Sequence, residues 1–550
     1  MSRERAVHVQ HGVMVPVRDG TRLATDVYLP PDPRPVPALL CRTPYDRADA
    51  NGRQRMARGF AEAGYAAVIQ STRGRHGSEG EFAFLRPDAE DGHDTVAWLR
   101  GQPWCDGRIG TWGGSYEGWT QTAMAALGTH GIAAMVPYMS GANGFASSIR
   151  HGGTLELRWP AWAFANSGAP ATPPFSHWLP RWPVRAGQTQ LSQTPHYERM
   201  VLDLMRHDRY DEYWAHPSLD PLSRLDQFPD APALIIGGWY DSYVRGSTEL
   251  FAALARRDSR TRLVVGPWTH CRSDQPDAGD VRFGDAATID LLPLHLRWFD
   301  AWLRDAGDDR APVRLFVMGG GSGRRGPDGR ILHGGHWRDE TGWPPAHTRF
   351  TRLYLHHDGT LGPGPASATD AQSTFDFDPA HPVPTRGGSI SALVDLVDAT
   401  GDTHPIAPGG GYDQGPPGAH PDVLTFQTPP LKHPVEVTGP VAARLWTTST
   451  AASADLAVKL VDVYPDGFAL NITDSIVRRR VDHGIDAVTI ELYPTSNLFA
   501  AGHRIRVDLA GSNFPRFDLN PAGFTTTTVW HDTARPSHLL LPTAGRTTTG

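Results

Sequence analysis

Cysteine is scarce in this 550-residue chain, with only Cys41, Cys105 and Cys271. None forms a C-x-x-C pair or a zinc-type spacing. That argues against a disulfide framework and against a structural metal. Cys271 follows a histidine of interest and reads as a neutral bystander thiol. Lysine is scarcer still. Lys432 and Lys459 are the only two, so arginine carries the positive charge. There is no long run of either sign, and the net charge is -7, so nothing marks a nucleic-acid footprint. No stretch of about 18 apolar residues exists, and no membrane span is expected. Met1 to Val15 lacks the apolar centre of a secretory signal, so a cytoplasmic protein is expected. No internal repeat is detectable.

What is present points to a folded, loop-rich chain. Hydrophobic residues make up 39%, enough to build cores rather than leave the chain disordered. With about 150 residues per domain as a guide, several units are expected. The 58 glycines and 48 prolines imply many turns.

Four regions follow from the patterning. In residues 1–144, short apolar runs alternate with amphipathic segments. Val36–Cys41, Ala66–Gln70, Ile109–Trp112 and Ile132–Val136 read as strands; Arg55–Ala63, Asp88–Arg100 and the segment after Ser115 read as helices. This alternation implies a parallel sheet covered on both faces. Residues 145–228, rich in Trp, Pro, His and Arg, read as a mostly helical insertion. The pattern resumes over 229–347, with strands at Ala233–Ile236 and Arg262–Val265 and helices at Val244–Arg256 and Leu291–Leu303. From 348 to 550, alternating runs between turn clusters suggest a β-sandwich of the jelly-roll kind. Pro465-Asp466-Gly467 marks a hairpin there. Residues 400–421 read as a loop.

The chemistry centres on Gly113-Gly114-Ser115-Tyr116-Glu117-Gly118. A strand leads in and a helix leads out, which presents the serine hydroxyl on a sharp turn above the sheet. The second glycine comes one place later than in G-x-S-x-G. A serine needs a base and an orienting acid, which follow in the order Ser, acid, His. Asp241 comes just after the ALII-GGWY strand and His270 just after LVV-GPWT. Both fall at the strand edge where open α/β sheets bind ligands. The oxyanion needs two donors. The Tyr116 N–H is one, and the loop after VPALLC offers the Tyr45 phenol as the other; a Tyr packed under a proline turn is the alternative. Glu117 reads either as a solvated first-turn acid or as a carboxylate for a substrate ammonium.

These segments resemble the cocaine esterase-like hydrolases, related to the X-prolyl dipeptidyl peptidases and the α-amino acid ester hydrolases. The likeness lies in VRDGTRLATDVYLP (17–30), RTPYDR (42–47), GYAAVIQSTRGRHGSEGEF (64–82), WCDGRIGTWGGSYEGWTQ (104–121), GGWYDSYVRGS (237–247) and LVVGPWTH (263–270). VLTFQTPPL, PVEVTGP and LVDVYPDG extend it into the last third. The resemblance implies an α/β-hydrolase domain, a helical cap and a C-terminal jelly roll. It implies a G-x-S-Y-x-G elbow, Ser115, Asp241 and His270 as the triad, and Tyr45 with the Tyr116 N–H as oxyanion donors. Ser71 stands where members often have Asp, and that segment reads as structural. No acid follows Asp241 in Ser242-Tyr243-Val244, which argues against a substrate with a free α-amine.

The expected activity is hydrolysis of a small carboxylic ester through an acyl-enzyme, with no cofactor or metal. Trp159, Trp162, Trp239 and Tyr243 are candidates for the substrate pocket. An amidase, peptidase or acyltransferase on the same scaffold is the near alternative. A glycan- or partner-binding protein with an inactive hydrolase domain is the alternative from another class. A homo-oligomer is compatible with all of these.

Overall fold

The computed structural model describes residues 6–32, 34–49, 52–397, 403–480 and 484–544. Strands β1 (His8–Pro16), β2 (Arg22–Leu29), β3 (Val36–Thr43), β4 (Ala66–Ser71), β5 (Cys105–Gly114), β6 (Ile132–Tyr138), β7 (Leu234–Tyr240), β8 (Arg262–Thr269) and β9 (Val313–Gly319) form one open sheet. Pairing runs β1-β2-β4-β3-β5-β6-β7-β8-β9, and it is parallel from β4 onward. The parallel sheet expected from the sequence is present and carries antiparallel strands at both edges. β1 and β2 form an antiparallel hairpin whose β2 runs antiparallel to β4, and Gly335–Glu340 closes the far edge antiparallel to β9. β1 reads HVQHGVMVP and is mostly exposed, so it carries no apolar run to announce it. The inner strands β3, β4 and β7 are buried along their whole length, as parallel strands covered on both faces must be.

Helices α1 (Arg53–Glu62), α2 (Asp88–Arg100), α3 (Tyr116–Ala125), α4 (Arg158–Asn166), α5 (Pro195–Arg206), α6 (Val244–Ala255) and α7 (Leu291–Leu303) complete this half. α1 and α7 share one apolar cluster through Met56, Phe60, Trp298 and Phe299. α2, α3 and α6 contribute Val96, Leu99, Met124 and Leu250 to another. The insertion between β6 and β7 contains α4, α5 and short 3-10 turns, with a small hairpin at Arg150–Leu155. Its Trp159, Trp162, Phe164 and Tyr197 join Phe82, Phe84 and Tyr116 in a further aromatic cluster.

The last third is β-rich. β10 (Val423–Gln427), β11 (Ser453–Val463), β12 (Ala469–Arg480) and β13 (Arg504–Ala510) form an antiparallel sheet in the order β10-β13-β11-β12. Pro465-Asp466-Gly467 turns β11 into β12, with Gly467 at φ 93°. Leu456, Val458 and Leu460 on one face of β11 share a core with Leu445, Val529 and Leu539 of a second sheet. That second sheet is continuous with the first half, because β9 pairs with Thr495–Phe499 through Met318–Asn497 and Gly319–Leu498. In 400–421, read as a loop, Thr403–Pro405 pairs with Val394–Val397, and 400–402 lie outside the described residues. No helix among the described residues is long and apolar enough to cross a membrane.

Candidate active site

β5 ends at Gly114 and α3 begins at Tyr116, leaving Ser115 alone on the turn at φ 60° and ψ -125°. For a residue with a Cβ this backbone costs roughly 1–3 kcal/mol and persists only where its surroundings fix it. They do so here. The Ser115 N–H donates to Tyr138 O at 2.9 Å, and the Ser115 carbonyl accepts from the N–H of Gly118 and of Trp119, both at 3.1 Å. The glycines have separate reasons. A Cβ on Gly113 would lie 2.5 Å from Glu117 Cβ, and one on Gly118 would lie 2.5 Å from Ser140 Cβ. The late glycine of the elbow is thus the point where α3 packs on the Ser140 side chain, just after β6.

β7 and β8 are neighbours, and Asp241 and His270 stand immediately beyond their ends. His270 Nδ1 lies 2.7 Å from Asp241 Oδ1, and Asp241 is fully buried. Asp241 Oδ2 accepts the Tyr243 N–H at 3.2 Å. The other imidazole nitrogen, Nε2, faces Cys271 Sγ at 3.7 Å. Burial pulls the imidazolium toward neutrality. The Cys271 sulphur and the Asp241 carboxylate outweigh it, and the His270 pKa is pushed up to about 10. Cys271 is exposed on the same cavity wall, and its sulphur borders the base.

Tyr45 follows β3 and lines the same cavity as Ser115. Its hydroxyl accepts the indole N–H of Trp162 at 3.1 Å. Burial raises the Tyr45 pKa, so the phenol holds its proton at neutral pH. The Tyr116 N–H is the first of α3, where a helix offers no intrahelical acceptor. The Tyr116 hydroxyl is fixed at 2.8 Å from Asp88 Oδ2 and accepts the Leu85 N–H.

Glu117 is not the solvated first-turn acid that one reading expected, and it lines the cavity already paired. It is buried, ion-paired with Arg53, and accepts from Thr43 Oγ1 at 2.8 Å and the Gly114 N–H at 3.3 Å. Arg53 in turn lies over the Tyr45 ring at 5.0 Å. Ser71 Oγ accepts from Arg47.

Ser115, His270, Tyr45 and Cys271 line one open cavity of about 1380 Å³. Of the four aromatic candidates, Trp162 lines it. Trp159 instead donates to Ser148 O and packs in the insertion core. Trp239 points to the far side of its strand, donating to Phe316 O. Tyr243 is buried behind His270, with its hydroxyl on Arg158. The rest of the wall includes Ile390, Leu393 and Ala407, which sequence reasoning missed. They lie more than a hundred residues beyond His270, and no motif marks them. Ser242 Oγ donates to Ser389 O, and Ser389 Oγ to Trp239 O, so this segment is latched to the loop carrying Asp241.

Comparisons with known proteins identify the family of the chain. Residues 19–272 match the family described as X-Pro dipeptidyl-peptidase (S15 family), and 305–546 match the X-Pro dipeptidyl-peptidase C-terminal non-catalytic domain. A cocaine esterase of Rhodococcus sp. (strain MB1 Bresler) is 38% identical over 559 residues, covering 93% of this chain and 92% of the relative. An aminopeptidase structure from a marine sediment archaeon (Thaumarchaeota archaeon) superposes with a TM-score of 0.81 at 25% identity, over 98% of this chain and 97% of that one. An α-amino acid ester hydrolase superposes with a TM-score of 0.79 at 24% identity, over 99% and 97%. The chain belongs to the X-Pro dipeptidyl-peptidase (S15) family, as a serine hydrolase of the cocaine esterase type.

Proposed function

We propose that the protein hydrolyses a small carboxylic ester through an acyl-enzyme on Ser115. The observation that carries this reading is the 2.7 Å contact of His270 Nδ1 with buried Asp241, beside a serine on a strained elbow in the same cavity. His270 Nε2 takes the Ser115 proton as Oγ bonds to the ester carbonyl carbon. The carbonyl π pair moves onto oxygen, where the Tyr45 phenol and the Tyr116 N–H donate to the oxyanion. As the oxyanion collapses, the C–O bond to the alcohol breaks and His270 returns the proton to the leaving oxygen. Water, deprotonated by His270, then releases the carboxylic acid and regenerates Ser115. Asp241 holds the imidazole tautomer with Nε2 free to accept.

Ester rather than dipeptide chemistry is favoured by charge. Glu117, the carboxylate beside the nucleophile, is neutralised by Arg53, and no acid follows Asp241 in its loop. An ammonium would find no unpaired carboxylate at either place. The three cysteines are free thiols, which suits the reducing cytoplasm. For the units we take 1–144 and 229–347 as the hydrolase domain, 145–228 as the cap and 348–550 as a jelly roll.

The test is initial rates on matched p-nitrophenyl esters and anilides, for wild type and Ser115→Ala. Ester turnover that disappears in the variant is expected. Equal turnover in the variant would refute the nucleophile. Anilide turnover above ester turnover would move the reading to an amidase or peptidase.

A further inference from the structure

The β-rich part contains a second cavity, of 90 Å³, remote in sequence from Ser115. By this measure a single ordered water needs only about 10–15 Å³, so the space exceeds a structural water. It lies on the face of the β10-β13-β11-β12 sheet opposite the shared core, under the chain segments around 383–386 and 414–420.

The strand register arranges this face in rows. Thr425, Asp508, Lys459 and Asp474 stand directly opposite one another across the four strands. The next row on the same face is Val423, Ala510, Ala457 and Ile476. A polar row therefore runs beside an apolar one, and both line the cavity.

The charges of the polar row do not cancel. Asp508 is held by both arms of Arg506, at 2.7 and 2.9 Å, and by Thr425 Oγ1 at 3.0 Å. Asp474 is held by Arg516 and by Asn513 Nδ2 at 3.0 Å. Each carboxylate thus has a guanidinium beside it, although Arg516 also reaches Glu156 at 3.6 Å, whose main partner is Arg158. Lys459 remains, and its ammonium donates to the neutral Gln414 Oε1. Gln414 is fixed for this by its own amide N–H groups, which donate to Arg386 O and Tyr412 O at 2.9 Å. An ammonium has three donors. Among the described residues no carboxylate ion-pairs with this one, and a second cation, Arg386, stands exposed at the rim. Burial pushes the Lys459 pKa below its ordinary value, although the two carboxylates push back. A partly buried, unneutralised cation beside an apolar strip has the makings of a recognition site for an amphipathic anion.

We propose that this face is a second small-molecule site that binds a short-chain carboxylate, its carboxylate on Lys459 Nζ and its alkyl chain over Val423, Ala457 and Ala510. The assignment stands independently of the hydrolytic reading.

The experiment is calorimetric titration of the full chain with acetate, butyrate and hexanoate, with n-butylammonium and 1-butanol as controls. Wild type is compared with Lys459→Met and with Ala457→Leu, which fills the apolar row without touching a charge. Saturable one-to-one butyrate binding is expected, at least tenfold weaker in both variants. Butyrate binding unchanged by both substitutions would place it elsewhere and overturn the proposal. So would preference for n-butylammonium, which would make the aspartates the recognising groups, or no binding of any acid to wild type. If Lys459→Met does not fold, as read by its circular dichroism, Ala457→Leu decides alone.

Discussion

Trp162 donates its indole N–H to the Tyr45 hydroxyl at 3.1 Å, an insertion residue holding a phenol that borders the nucleophile. A phenol has one proton. Because the Tyr45 oxygen accepts from Trp162, that proton remains for the Ser115 side. Trp162 also stacks on Tyr116, with ring centroids 5.9 Å apart and planes at 19°. One side chain thus touches both tyrosines assigned to the oxyanion.

Trp162→Phe keeps most of the ring and removes the donor. A neutral hydrogen bond contributes about 0.5–1.5 kcal/mol, so kcat should fall by roughly two- to tenfold with KM little changed. Tyr45→Phe should cost more, about 10²–10³ in kcat, as for loss of an oxyanion donor. Steady-state kinetics on one ester checks both. A Tyr45→Phe enzyme with wild-type kcat would remove the phenol from the mechanism.

The rate should rise with pH well past neutrality. A general base must be neutral to accept the Ser115 proton, and the His270 pKa is raised to about 10. The acid limb of kcat/KM is therefore displaced upward from the ordinary imidazole value of about 6.5. Cys271→Ala removes one of the two groups that raise it and should move the limb down. Superimposable profiles for variant and wild type would show that the thiol does not act on the base. The linked stability has the opposite course. A raised folded-state pKa contributes stability that is complete below the unfolded value and is lost as pH climbs through about 10.

Much of this geometry is legible in sequence, for a physical reason. β7 and β8 are continuous apolar runs, and a parallel strand must end where its apolar run meets the loop that carries polar residues. Asp241 and His270 stand at those ends, and adjacent parallel strands bring them together. Trp239 shows the limit of that reasoning. It lies two residues before Asp241, yet it turns to Phe316 and away from the cavity. The wall formed by Ile390 and Leu393 depends on how the last third docks, which no local pattern encodes. β1 was unreadable because an exposed edge strand needs no apolar alternation.

Arg53 and Glu117 should behave as a coupled pair. Removing one partner of a buried ion pair commonly costs about 3–5 kcal/mol, because the other charge is left without compensation. Arg53→Met should approach the lower end, since 17% of its side-chain surface is exposed. It should also depress kcat, as Glu117 anchors the Gly114 N–H and the loop carrying Tyr45. The double variant Arg53→Met, Glu117→Met should lose less than the two single losses added together. Urea unfolding of the four proteins measures this, and strict additivity would dismiss the coupling.

Gly118 offers a test of why the elbow reads G-x-S-Y-x-G. An added Cβ would lie 2.5 Å from Ser140 Cβ, 2.8 Å from Ser140 Oγ and 3.2 Å from Gly113 O. Either α3 lifts or Ser140 retreats. Overpacking of this kind costs about 1–3 kcal/mol. Lifting α3 would carry the Tyr116 N–H away from the oxyanion position, so Gly118→Ala should lower kcat as well as stability. Ser140→Gly removes the side chain that Gly118 makes room for. The double variant should therefore recover most of the loss in both unfolding and rate, which a glycine needed only for backbone freedom would not allow. Its φ lies outside the left-handed region, so the rescue isolates the steric cause.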